Sequence, residues 1–380
     1  MDYTEFSDIC PYSDEEMRAA LSSVADHPYV SLASQALFPE KEPQFLTHVL
    51  KNVRTVDEFQ QIVIAKGVEW VIANTVAEFS YDGLENVTSV NGRFLAVSNH
   101  RDIVLDPAIT QLVLFRNGFE TSQLCVGDNL LKNPYVEKLL RSNKMIKVIR
   151  GINARSLYLS SQLLSRYIRQ TVTSGTSSVW IAQREGRAKD GFDITEQGLL
   201  KMFDMSGTAD FVTNFDELHI LPLSISYQYE PCDIMKAREI LISRTRKYVK
   251  GENEDLASII SGIKEFKGNV HLHVGKPLSR EEIQEASLCN KNDRYQYIRS
   301  AMDRRIISGY RLWDTNYMGC DLLNGSSDHA DRYSPEALEA FKAYIEKQLD
   351  KVEPELSRDE LREILLGIYG NPVKAAESLG

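Results

Sequence analysis

Between residues 76 and 280 the chain alternates short apolar runs with stretches of helical spacing, and this restricts the fold more than any other feature. The runs 94–98, 145–149, 178–182, 220–227 and 270–274 are each bounded by polar or turn residues, as strands are. Between them, 154–172 places Leu157, Leu164 and Ile168 on one helical face, with Leu163 and Tyr167 alongside. Strands separated by helices predict an α/β fold, a mixed and largely parallel sheet flanked by helices.

Both ends read differently. Residues 1–75 are expected to form an N-terminal helical region. "SDEE" from Ser13 fits a capping box, and Phe59, Ile62, Val63, Val68, Val71 and Ile72 fall near helical spacing. Residues 281–380 form a second expected helical region. "SREE" at Ser279 and "SRDE" at Ser357 are capping-box patterns, and Pro335 follows Ser334 at a first helical position. "NGSSDHADRYS", 324–334, reads as a linker. An α/β domain over 76–280 with helical additions suits a chain of 380 residues, long for one domain.

A hydrophobic fraction of 43% with 26% charged residues is that of a chain with a sizeable core, not of a disordered one. No apolar stretch reaches the length of a spanning helix. "IVLDPAITQLVLF" is cut by Asp106, Pro107, Thr110 and Gln111. The acidic start "MDYTEFSDICPYSDEE" lacks an apolar signal core. Cys10, Cys125, Cys232, Cys289 and Cys320 are scattered and match no metal-ligand spacing. A cytoplasmic protein with free thiols and no metal is expected. The net charge of −10 excludes a general nucleic-acid binder. Yet residues 131–190 carry twelve Lys/Arg against three Asp/Glu. That excess suits a local anion site, a face for anionic lipid, or a solvated helix surface.

Four stretches at expected strand ends could carry chemistry, since ligand sites of open α/β sheets gather there. In "VSNHRDIVLDP", 97–107, His100 stands just past a strand, where an imidazole could act as general base at neutral pH. Asp102 and Asp106 are the carboxylates that could hold its other nitrogen. Taken alone, a strand-end histidine is more often a structural hydrogen-bonder. "KMIKVIRG" brings Lys147 and Arg150 to the end of an apolar run, and arginine is a natural phosphate ligand. "VWIAQREGRAKDG" runs into Glu185, Gly186, Arg187 and Lys189. "ILPLSISYQYEP" holds Pro222 inside an apolar run, which marks a strand start, an edge or a bulge.

In this order the four resemble the motifs of the glycerolipid acyltransferase superfamily, over roughly residues 90–280. Asn99-His100 with Asp106 is similar to its first motif, "IKVIRG" with Arg150 to its second, Glu185-Gly186-Arg187 to its third, and "ILPL" with Pro222 to its fourth. "HLHVGKPL" is similar to a later strand ending Gly-x-Pro. The family places four residues between histidine and aspartate; here five separate His100 from Asp106, and Asp102 stands closer. Neither spacing shares a helical face with the histidine, so the motif needs a turn, which can absorb an extra residue.

The resemblance implies transfer of a fatty acyl group from acyl-CoA or acyl-carrier protein to a hydroxyl of glycerol-3-phosphate or 1-acylglycerol-3-phosphate, in phospholipid biosynthesis. His100 would be the base, with Asp106 its partner and Asp102 the alternative. Arg150, Arg187, Lys147 and Lys189 would hold the acceptor phosphate, supported by Glu185, Gly186 and Pro222. No cofactor is implied beyond the thioester co-substrate. The partners expected are that donor, the acceptor and a membrane met peripherally on its cytoplasmic face, with Leu112–Phe115 a contact or simply a buried helix. Other readings are an acceptor without phosphate, such as an amino-acid lipid, an inactive lipid-binding relative, and a hydrolase using Cys125 or Cys232. His271 and His273 alternate on one strand face but lack a further ligand in a known pattern.

Overall fold

The computed structural model describes residues 4–90, 92–151, 153–251 and 253–379. Its strands form one sheet. They are β1 Val76–Asp82, β2 Leu95–Ser98, β3 Gln123–Gly127, β4 Met145–Val148, β5 Val179–Ala182, β6 Ile220–Tyr227 and β7 Gly268–Val274. The order across the sheet is β1-β7-β6-β2-β5-β3-β4. Every pairing is parallel except β6 with β7. The mixed, largely parallel sheet flanked by helices is therefore present.

Burial explains the order. All four residues of β2 are buried, and β6 is buried along nearly its whole length, so both lie at the centre under helices on each face. β1 and β3 were not among the apolar runs read from the sequence. β1 is an edge strand with exposed Glu78 and Asp82, and β3 mixes Gln123, Cys125 and Gly127 with two apolar residues. Neither shows an uninterrupted apolar run. The other edge, β4, is not left open, since the Lys147 N–H donates to the Ile9 carbonyl at 2.9 Å.

Pro222 corrects one expectation. It is the third residue of a central strand, not of an edge. Its carbonyl accepts from Gly275, one residue past the end of β7, so its missing N–H falls where that ladder stops.

The N-terminal helices close over their own apolar cluster, with Met17, Leu21, Phe38, Leu46, Leu50 and Phe59 at its heart. The Ser13 capping box forms in both directions, as does that of Ser279; Ser357 accepts from the Glu360 N–H. The C-terminal helices build a second core with Ile234, Ala237 and Leu241 of the Asp233–Thr245 helix. Within it the Asp314–Asn324 and Arg358–Glu377 helices touch through glycine. A Cβ on Gly370 would lie 2.8 Å from the Cys320 Cα. The expected linker at 324–334 is instead a pinned turn. Asp321 accepts from the His329 N–H and the Tyr333 hydroxyl, and helices on both sides share that core. Leu112, Val113 and Leu114 are buried, while Phe115 at the end of that stretch is exposed. Among the described residues no helix is long and apolar enough to cross a membrane.

Candidate active site

β2 to β6 run parallel to one another, so their C-terminal ends open on one side of the sheet. His100 leaves the end of β2. The chain then turns and enters the Leu105–Arg116 helix, whose second residue is Asp106. The turn brings the His100 Nδ1 to 3.0 Å from the Asp106 Oδ2. The same oxygen accepts the N–H groups of Arg101 at 2.5 Å and Asp102 at 2.8 Å. The Tyr227 hydroxyl, at the end of β6, donates to the Asp106 Oδ1 at 2.7 Å. Four donors thus converge on one buried carboxylate. The five-residue spacing is accommodated because the intervening backbone wraps around that carboxylate instead of running straight.

Asp102 does other work. Its Oδ1 accepts from Val104 and Leu105 at 2.8 and 2.7 Å, serving two N–H groups that a helix start leaves unpaired. Burial, and next the charge of Asp106, raise its pKa above the ordinary aspartate value. Its Oδ2 has no hydrogen-bond partner and faces Gly262 of the Glu254–Lys264 helix. A Cβ at Gly262 would lie 2.2 Å from that oxygen, so only glycine admits this approach.

The residues flanking His100 are held tightly. The Asn99 side chain clasps the Ile225 backbone, donating to its carbonyl and accepting from its N–H, and also donates to the Asp193 Oδ2 at 2.9 Å. The Arg101 guanidinium is buried. It donates to that oxygen through Nε and Nη2, at 3.0 and 2.6 Å, and reaches Glu230 at 3.4 Å. Lys236 donates to the Arg101 carbonyl and to Glu230. Burial pulls the Arg101 pKa down, but Asp193 and Glu230 outweigh it and leave the guanidinium well above arginine's ordinary value. Burial and the charge of Asp106 likewise push the Tyr227 hydroxyl well up, so it remains a protonated donor.

The third motif reaches the same loop, for the Ala188 N–H donates to the His100 carbonyl at 2.8 Å. Gly186 takes φ +72°, and no atom lies within 4 Å of where its Cβ would be, so it turns in open space. Arg150, past the end of β4, pairs with Glu185 at 3.3 Å. Arg187 has a buried Nη1 with no hydrogen-bond partner, and the Arg184 Nε beside it in sequence is also unpartnered. Lys147 and Lys189 stand apart from these arginines. Lys147 pairs with Glu137 at 3.1 Å and Lys189 with Glu239. Their charges are already met.

The same holds for much of the basic excess over 131–190. Lys144 pairs with Asp57, Arg166 with Glu5 and Arg169 with Glu217. With Lys189, these are the basic side chains of the segment met by acidic residues from outside it. Burial raises the thiol pKa of Cys125 and of Cys232, which disfavours either as a thiolate nucleophile. His271 and His273 bond to Ser80 and Asp82 of β1, and among the described residues no group of three ligand side chains is set for a metal ion. The sequence reading missed Asn99 as a clasp, and Arg101, Asp193, Tyr227 and Glu230 altogether. Arg101 directly after the histidine was the one local signal.

A histidine–aspartate pair thus stands at parallel strand ends, with Arg150 and Arg187 on the loops after β4 and β5. Residues 78–226 match the family model described as Acyltransferase. That stretch, which runs from β1 into β6 and holds His100, Asp106, Arg150 and Arg187, is the chain's acyltransferase segment. No curated protein matches the chain. Among solved structures, the 1-acyl-sn-glycerophosphate (LPA) acyltransferase from Thermotoga maritima is similar at 15% identity, covering 77% of this chain and 94% of that one, with a TM-score of 0.39.

Proposed function

We propose that this protein moves a fatty acyl group from acyl-CoA or acyl-carrier protein to a hydroxyl of glycerol-3-phosphate or 1-acylglycerol-3-phosphate. The observation that carries this reading is the 3.0 Å contact of the His100 Nδ1 with Asp106 inside the acyltransferase segment. With Nδ1–H donated to the carboxylate, Nε2 keeps its lone pair and can take a proton. The acceptor hydroxyl attacks the thioester carbonyl carbon while its proton passes to Nε2. A C–O bond forms, the C–S bond breaks, and the leaving thiolate recovers that proton from His100. Neither a covalent enzyme intermediate nor a metal is required.

Arg187, with its unpartnered Nη1, and Arg150, bound only to an exposed glutamate, are the groups suited to an acceptor phosphate. Exposed apolar side chains stand nearby. Leu157, Tyr158 and Leu159 lie in the first turns of the helix that follows Arg150. Leu256 and Ile260 lie on the Glu254–Lys264 helix, whose Asp255 accepts from Asn129. They suit a lipid acceptor and a peripheral membrane contact.

The test is to incubate the protein with acyl-CoA or acyl-carrier protein and a panel of phosphorylated and unphosphorylated acceptors, following acylated product. His100→Ala is expected to abolish transfer while the thermal transition persists; retained turnover would overturn the assignment. Arg150→Ala and Arg187→Ala are expected to raise KM for phosphorylated acceptors. Product formed only with unphosphorylated acceptors would remove the phosphate from the proposal.

A further inference from the structure

Tyr310 lies far outside the matched segment, between the Asp293–Ser308 and Asp314–Asn324 helices of the C-terminal region. Its hydroxyl donates to the Asp193 Oδ2 at 2.7 Å, the same oxygen that Asn99 and Arg101 use. Its ring also lies 5.9 Å from the Arg101 guanidinium carbon. Asn99 and Arg101 are the two residues on either side of His100. The Arg101 N–H, in turn, is one of the donors to Asp106. A single carboxylate oxygen therefore gathers the C-terminal region and both neighbours of the histidine.

We infer that Tyr310 is a positioning residue for acyl transfer, acting through Asp193 on the geometry of His100 and Asp106. The inference rests on the reading of His100 as the base. The physical argument concerns shared donors. Asp193 Oδ1 has no partner, so all of its hydrogen bonding falls on Oδ2. Removing one of that oxygen's donors leaves the carboxylate free to reorient towards the remaining ones. Arg101 and Asn99 would follow it, and the Arg101 N–H would lose alignment with Asp106. A small misplacement of a base relative to its carboxylate lowers the rate of the chemical step without weakening substrate binding. A loosened carboxylate contact also gives less support to the imidazolium that forms during transfer. Tyr310 and Asp193 reach His100 only through Asn99 and Arg101, so binding should be spared.

The experiment compares wild type, Tyr310→Phe, Asp193→Asn and His100→Ala as full-length proteins, each assayed well below its own Tm, with kcat, KM for both substrates and the pH profile of kcat. Tyr310→Phe keeps the ring and removes the hydroxyl. The expected result is a fall in kcat of roughly tenfold with KM changed less than about twofold. The acid limb of the profile should move to lower pH. Asp193→Asn, which keeps shape but removes the charge, should act in the same direction and more strongly. An unchanged kcat in Tyr310→Phe overturns the inference. So does a loss of kcat with an unshifted acid limb and a matching rise in KM, which is the signature of general structural damage. If Tyr310→Phe fails to fold, the same readouts on Asp193→Asn decide. Activity surviving in His100→Ala would instead refute the base, a separate failure from a silent Tyr310→Phe beside an inactive His100→Ala.

Discussion

Arg101 and Arg187 both belong to the neighbourhood of His100, yet they are served in opposite ways. Arg101 is enclosed by Asp193, Glu230, the Gly191 carbonyl and the ring of Tyr310. Arg187 and Arg184 each keep a buried N–H without a partner, at Nη1 and Nε, and the Asn129 Oδ1 and Asp102 Oδ2 are acceptors without a donor. One flank is a finished hydrogen-bonded floor. The other holds polar atoms whose desolvation is uncompensated within the protein, at about 1–3 kcal/mol for each such group. The contrast is one of degree, since the Asp193 Oδ1 on the first flank is also bare. The same contrast separates the two aspartates, with donors on both oxygens of Asp106 and one bare oxygen on Asp102.

The sharpest way to break this contrast is at the aspartates. Asp106→Asn presents an amide where donors converge and should lower kcat on the order of 100-fold or more. Asp102→Asn, which resembles the protonated acid that burial favours, should cost well under tenfold. Parallel kinetics of the two variants settle the matter, and a larger loss at Asp102 would reverse the partners. Next come the arginines. Arg101→Met leaves Asp193 buried without its counter-charge, while Glu230 keeps Lys236, and should destabilise by about 3–5 kcal/mol. Arg187→Met should cost under about 1 kcal/mol and show itself in KM for a phosphorylated acceptor. Denaturant titration beside steady-state kinetics tests both; equal stability losses would erase the difference between the flanks.

A smaller effect is expected from pH. Asp233 lies at the back of the finished flank, accepting from Tyr344 at 2.6 Å and Tyr369 at 2.7 Å. Burial raises its pKa from 3.8 to about 6. The folded state then holds a proton that the unfolded chain releases. The stabilisation from that proton is complete below pH 3.8 and is lost as pH rises through about 6. Asp233→Asn should flatten the stability curve across that window, recovering at most about 3 kcal/mol at neutral pH, at roughly 1.4 kcal/mol per unit. An unchanged slope in urea titrations over pH 4–7 would show that another group governs it.

The sheet was legible where strands are apolar throughout, since β2, β5 and β6 are buried runs with turns at their ends. It was illegible at β1 and β3, where exposure and small polar residues break the run. The site divides in the same way. His100, Arg150 and Arg187 announce themselves because strand ends can be placed from local pattern. The partners of Arg101 come from Asp193, Glu230 and Tyr310, distant in sequence and ordinary in context, and only the folded topology joins them. The charge excess over 131–190 shows the same limit. Composition counts charges but cannot tell that Asp57, Glu5 and Glu217 have come to meet them.

The antiparallel pairing of β6 with β7 has a consequence for how this architecture can vary. Two antiparallel neighbours can be joined by a two-residue turn. Here the chain instead spends 228–267 between them, leaving and re-entering at the end of the sheet where His100 lies. Length there is free of topological duty. The connection's Asp233–Thr245 helix is committed to Arg101 and to the C-terminal core, but its Glu254–Lys264 helix, resting by Gly262 on Asp102, is where a graft would reshape access to the histidine while leaving the sheet intact.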